Sequence, residues 1–156
     1  MTDASIRVLI TEQSLDGFDP FRGLGSRADG AVVVFQGRVR DTNEGREVAR
    51  LSYEAYHDMA ESELRAICEE AAVRHEVGAI VAAHRVGTLD PGEVSVAIGV
   101  AAPHRASGYD ASRYVIEQLK KRLPVWKHER YEDGTSTWVG APAPGHGRAA
   151  EAKAEG

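Results

Sequence analysis

Two stretches of this chain carry an apolar repeat at helical spacing, and that pattern removes most folds at once. Between Asp58 and His75 the stripe is Leu64, Ile67, Cys68, Ala71 and Ala72. Between Arg105 and Leu123 it is Ala111, Val115, Leu119 and Leu123, stopped by Pro124. The remaining apolar segments have strand character: Ile6 to Ile10, Ala31 to Phe35, Val48 to His57, Ala79 to Val86, Val94 to Val100, Trp126 to Tyr131 and Thr137 to Val139. The order is therefore three strands, a helix, two strands, a helix and two strands. Helices and strands do not alternate regularly, so the pattern predicts an α+β fold and not a parallel α/β sheet.

Details follow from local chemistry. Ala31-Val32-Val33-Val34-Phe35 is a continuous apolar run, the kind expected in a strand buried on both faces. Asp58 is placed to cap the first helix. Residues 16 to 24 carry Gly and Pro breaks and have room for a short helix at most. Asp41-Thr42-Asn43-Glu44-Gly45-Arg46 is a polar loop with turn chemistry. The chain of 156 residues suffices for one domain, expected over residues 1 to 140. From 141 to 156 Ala, Pro, Gly and Glu dominate without apolar periodicity, and a disordered tail is expected.

Charge and cysteine usage exclude several functions. A net charge of −5 argues against a nucleic-acid binder, so any anion site must be a local cluster of Lys and Arg. No apolar run approaches the ~20 residues that span a bilayer, and the first residues do not read as a signal peptide; a cytoplasmic protein with no membrane partner is expected. Cys68 is the only cysteine, and its apolar stripe and following Glu69-Glu70 mark it as a core residue. The six histidines lack the spacing of a zinc site, so neither a metal nor a cofactor is expected.

Basic residues gather in three places. Lys120-Lys121-Arg122-Leu123-Pro124-Val125-Trp126-Lys127 ends the second helix and turns back. It can be a solvated helix end that complements the helix dipole. Alternatively, the Pro124 turn swings Lys127 beside Lys120, so that two ammonium groups face one cavity and lower each other's pKa. His104-Arg105 sits where a strand turns into a helix with free N–H groups, and reads equally as a cap or as an anion site. Arg38 and Arg40 close the second strand, as ordinary strand-end charge or as a third basic element. His84-Arg85 ends another strand and has a structural or a catalytic reading. Arg105 and Lys120 stand about 15 residues apart on one helix, roughly 22 Å. A small ligand cannot reach both within one chain, so a shared pocket requires a two-fold dimer.

Taken in order, these segments resemble the large, catalytic subunit of molybdopterin synthase. The resemblance is carried by Phe35-Gln36-Gly37-Arg38-Val39-Arg40, Leu51-Ser52-Tyr53-Glu54-Ala55-Tyr56, His84-Arg85-Val86-Gly87, His104-Arg105, Leu119-Lys120, Pro124-Val125-Trp126-Lys127-His128-Glu129 and Trp138-Val139. It implies an α/β hammerhead-like fold and a homodimer at the core of a heterotetramer. The partner it implies is a small ubiquitin-like sulfur-carrier subunit ending in Gly-Gly. The reaction it implies moves sulfur from that subunit's thiocarboxylate to cyclic pyranopterin monophosphate. By the same resemblance Lys120 and Lys127 are the catalytic pair, Phe35 and Arg40 belong to the substrate pocket, and His104 and Arg105 reach in from the neighbouring subunit. Family members often carry a basic residue shortly after the Trp-Val pair; here Gly140-Ala141-Pro142-Ala143 follows and only Arg148 could substitute. Ile116 stands where a methionine is also familiar. Two other classes fit the lysines: a Schiff-base enzyme acting on a phosphorylated carbonyl compound, and a non-catalytic dimeric scaffold that binds a carrier protein.

Overall fold

The computed structural model describes residues 3–140, so the tail expected over 141 to 156 lies outside the described residues. Among the described residues, nine strands and two helices follow in the order β1 (Ser5–Thr11), β2 (Ala31–Arg38), β3 (Thr42–Asn43), β4 (Arg46–Ala55), α1 (His57–His75), β5 (Ala79–Arg85), β6 (Gly87–Leu89), β7 (Val94–Ala102), α2 (Arg105–Arg122), β8 (Val125–Tyr131) and β9 (Ser136–Gly140). The α+β expectation holds. One sheet has the order β1-β5-β7-β2, with β1 and β5 parallel and the other pairs antiparallel. The other has the order β3-β4-β8-β9, with β6 added alongside β4, and is antiparallel throughout.

Both helices cover one face of the first sheet. Leu64, Ile67, Cys68 and Ala71 of α1 and Ala111 and Val115 of α2 are fully buried against Ile80, Ala82, Ile98 and Val100 of the central strands. Burying a Leu, Ile or Val side chain contributes about 1.5–3 kcal/mol, so these stripes fix the rotation of each helix about its axis. Gly108 allows α2 to approach β2 closely: a Cβ there would meet Cγ2 of Val33 at 3.1 Å. At the far end of α2, the Arg122 guanidinium bonds Glu63 at 2.7 Å and Glu70 at 2.7 and 3.0 Å, tying that helix end to α1. The opposite face of the sheet is crossed by the segment after β1, where Leu15 and Phe18 pack on Ala83, Val94 and Ala97.

Two local expectations need correction, and a third, the turn over residues 41 to 46, is sharpened. β2 is not buried on both faces; it is an edge strand, and its residues alternate, with Val32 and Val34 exposed while Val33 and Phe35 turn towards the helices. The continuous burial belongs to β7, the strand between β5 and β2, where all nine residues are buried and no polar face survives. Asp58 does not cap α1: Tyr56 occupies that position without a side-chain cap, and Asp58 lies in the first turn, where it complements the dipole. Residues 41 to 46 form a tight hairpin, with Glu44 and Gly45 at φ 54° and 80° joining β3 to β4.

Candidate active site

The antiparallel register builds a polar wall by simple alternation. Lys127, Glu129 and Tyr131 stand on one face of β8, and their partners across the ladder are Tyr53, Leu51 and Val48 of β4. On the other side, Val139 and Thr137 of β9 face Lys127 and Glu129. This wall meets the C-terminal end of α2, where Ile116 and Lys120 are one turn apart, and the ends of β2 and β5, which bring Phe35 and His84. A cavity of about 1060 Å³ lies between them. Arg38 and Arg40, from the segment closing β2, also line it.

The turn at Pro124 thus does what the sequence suggested. Lys120, Lys127, Arg40 and Phe35 line one cavity. The Lys120 ammonium is held below the usual lysine range, first because the cavity wall removes part of its hydration, then because Lys127 and Arg40 repel it. His104 and Arg105 are exposed at the other end of α2 and do not line this cavity. His104 occupies the N-cap position of α2, as one reading allowed, but its side chain makes no capping hydrogen bond.

The carboxylate of Glu129 was not assigned a role from sequence, and the structure makes it the organiser of the lysine side. It is buried, with the Asn43 amide donating to it at 2.8 Å and the Tyr131 hydroxyl at 2.7 Å. Its other oxygen lies 3.4 Å from Nζ of Lys127. Burial pushes its pKa up, but the bonds from Tyr131 and Asn43 and the charge of Lys127 outweigh that, and the net shift is downward. Glu129 therefore stays ionised and pins the Lys127 ammonium to the cavity wall. Arg46 closes the cluster by stacking its guanidinium 3.7 Å from the Tyr131 ring. The signal was the alternation Lys127, Glu129, Tyr131 beside a basic cluster, which places an acid and a base on one face of a strand.

His84 is the second residue whose place the sequence left open. It is 4% exposed and lies at the floor of the cavity, with the Tyr53 ring edge-on at 5.0 Å. Cys68 behaves as expected: it is fully buried on α1, and burial pushes its thiol up to about 12.

What such a cavity can do follows from its charges. Six basic residues line it against three carboxylates, Glu44, Glu117 and Glu129, so it attracts an anion, and a lysine with a lowered pKa can give up a proton or act as a nucleophile. Among the described residues no helix is long and apolar enough to cross a membrane.

Comparison with known proteins gives a consistent result. Residues 10–122 match the family model described as MoaE protein. A rice (Oryza sativa subsp. indica) protein named molybdopterin synthase catalytic subunit is 47% identical over 69% of this chain, which spans 55% of that protein's length. A protein of the same name from Thermoplasma volcanium is 36% identical over 84% of this chain and 96% of its own. The crystal structure of molybdopterin synthase from Staphylococcus aureus superposes with a TM-score of 0.72 at 35% identity, covering 90% of this chain and 99% of that one.

Proposed function

Because the chain belongs to the MoaE protein family, we propose that it is the catalytic subunit of a molybdopterin synthase. It takes sulfur from the thiocarboxylated Gly-Gly terminus of a small ubiquitin-like carrier and delivers it to cyclic pyranopterin monophosphate, in the cytoplasm. The observation that supports this reading most is the convergence of Lys120, Lys127 and Arg40 on one large cavity, with the Lys120 pKa lowered by its surroundings. The substrate carries a phosphate and the carrier a negatively charged terminus, so both need cationic partners.

Roles follow from position. Lys127, held by Glu129, is the fixed cation for the carrier's terminus and for the charge released as the sulfur leaves. Lys120 has the lowered pKa and no carboxylate partner within ion-pair distance among the described residues, which suits it to proton transfer or attack. Arg40, with His104 and Arg105 of a second copy, holds the phosphate. The separation of His104 and Arg105 from the cavity within one chain supports a shared site, in a homodimer that carries one small subunit on each half.

Reconstitution tests this. Purified protein, thiocarboxylated carrier and cyclic pyranopterin monophosphate should yield the dithiolene product, and Lys120→Ala should yield none while keeping its fold. Full activity in that variant would remove Lys120 from the mechanism. The lowered Lys120 pKa also favours a second reading, a Schiff-base enzyme on a phosphorylated carbonyl compound. Borohydride trapping of substrate on Lys120 without any carrier would support that reading over the first.

A further inference from the structure

The cavity holds a polar atom that the proposed chemistry does not use. His84 sits at the end of β5, where its ladder partners are Ile10 and Val96, and its ring is buried beneath the cavity. Nδ1 lies 2.8 Å from the carbonyl oxygen of Arg85. A carbonyl only accepts, so Nδ1 carries the proton and Nε2 is left with a bare lone pair. No hydrogen bond from a described protein group reaches Nε2, while every fully buried side-chain polar atom among the described residues has a partner. Nε2 is therefore reachable from the cavity that the residue lines.

Its surroundings keep the ring neutral. Burial first, and to a smaller extent the nearby Lys120 charge, lower the His84 pKa to about 4 against the opposing bond to Arg85. A neutral imidazole with an outward lone pair repels phosphate and thiocarboxylate oxygens and accepts only from a hydrogen donor. Around it the cavity wall carries the donors Arg38, Arg40, Lys120 and Lys127, and its other acceptors include the carboxylates of Glu44 and Glu117. The carboxylate of Glu129 is already occupied by Asn43, Tyr131 and Lys127.

We infer that His84 is a substrate-binding, specificity-determining residue whose Nε2 accepts a hydrogen bond from a ring N–H of the bound heterocycle. This rests on the reading of the cavity as a pyranopterin site and adds an orientation to it. The anionic end of the substrate is drawn to the arginines, and a hydrogen-bearing edge of the ring system is turned to the floor beside Lys120. A ligand bound the other way round would set lone pairs against Nε2 and leave the cations unmatched.

The test compares ligands as well as variants. Binding of cyclic pyranopterin monophosphate to the full-length protein is measured by calorimetry beside analogues in which each ring N–H is methylated in turn. One analogue should bind about tenfold more weakly than the parent, the cost of one lost hydrogen bond to a buried acceptor. In His84→Leu that discrimination should vanish, with parent and analogue binding alike, whereas His84→Gln, which keeps an acceptor, should retain part of it. A purely packing role would weaken all ligands equally and leave their ratio unchanged, which overturns the inference. A wild-type protein that binds the parent but discriminates against no methylated analogue overturns it as well, without any variant. A wild-type protein that binds neither parent nor analogue overturns the proposed function and this inference together.

Discussion

The two ends of α2 carry similar chemistry and have different surroundings. At the C-terminal end Lys120 faces a cavity, feels Lys127 and Arg40, and loses part of its hydration. At the N-terminal end His104 and Arg105 are exposed, and the cavity is out of their reach. The helix has 18 residues, roughly 27 Å at 1.5 Å each, so no rearrangement of one chain joins its ends. A basic cluster becomes a site where tertiary structure encloses it. On the reading proposed above, the exposed end is the half of a site that a second copy completes.

The largest effect that would break this comparison is at the enclosed end. Lys120→Ala should lower product formation by about 10³-fold or more, with an unchanged circular dichroism spectrum. Activity within a few-fold of wild type would make the two ends equivalent after all. Next comes the shared site itself. Arg105→Ala alone should raise the KM for the pyranopterin with a smaller change in kcat. Co-refolding it with inactive Lys120→Ala should produce mixed dimers with one intact site each. Recovery of turnover above the sum of the separate variants, read in the reconstituted assay, supports a pocket built from both copies, and no recovery confines each site to one chain.

Glu129→Gln sharpens the contrast by releasing Lys127 without removing it. Turnover should fall between about 10- and 100-fold, as expected when a reacting group loses its fixed position. The pKa of Glu129 is lowered in the folded protein, so its ionised form contributes stability above its unfolded value of about 4.5, lost as pH falls through the lower folded value. Urea melts from pH 7 to 3 should show a smaller acid loss in Glu129→Gln than in wild type. An identical acid slope would show that the carboxylate is not tied down as described.

The smallest effect is on stability at the other lysine. Lys120 has a lowered folded pKa, so the unfolded chain binds its proton more tightly, and the residue costs stability below the folded value. That cost fades as pH rises towards 10.5. Lys120→Met should therefore raise Tm at pH 7 by about 1–2 °C, and the gain should shrink at pH 10. Solvent screening at an exposed residue keeps the change small. A loss of Tm would mean that the ammonium is stabilised by a partner.

Much of the architecture was legible because periodicity is local. Leu64, Ile67, Cys68 and Ala71, and Ala111, Val115 and Leu119, declare two buried helix faces, and Pro124 declares where the second helix must stop. The same local rule misread β2, since an apolar run shows that a strand tolerates burial and not which strand lies in the middle. β6 was missed because three residues hold too little pattern to register.

The pairing of Lys120 with Lys127 was one of two arrangements the sequence allowed, since a proline turn and six intervening positions permit it without requiring it, and the cavity decided between them. Glu129 and His84 belonged to the tertiary structure. Whether a carboxylate or an imidazole is a solvated surface group or a buried one depends on what the rest of the chain lays over it. For Glu129 that cover comes from Asn43, 86 residues away, and for His84 from the ring of Tyr53 on the other sheet. Hydration free energy is lost only when distant segments exclude water, and no local window of sequence reports that event.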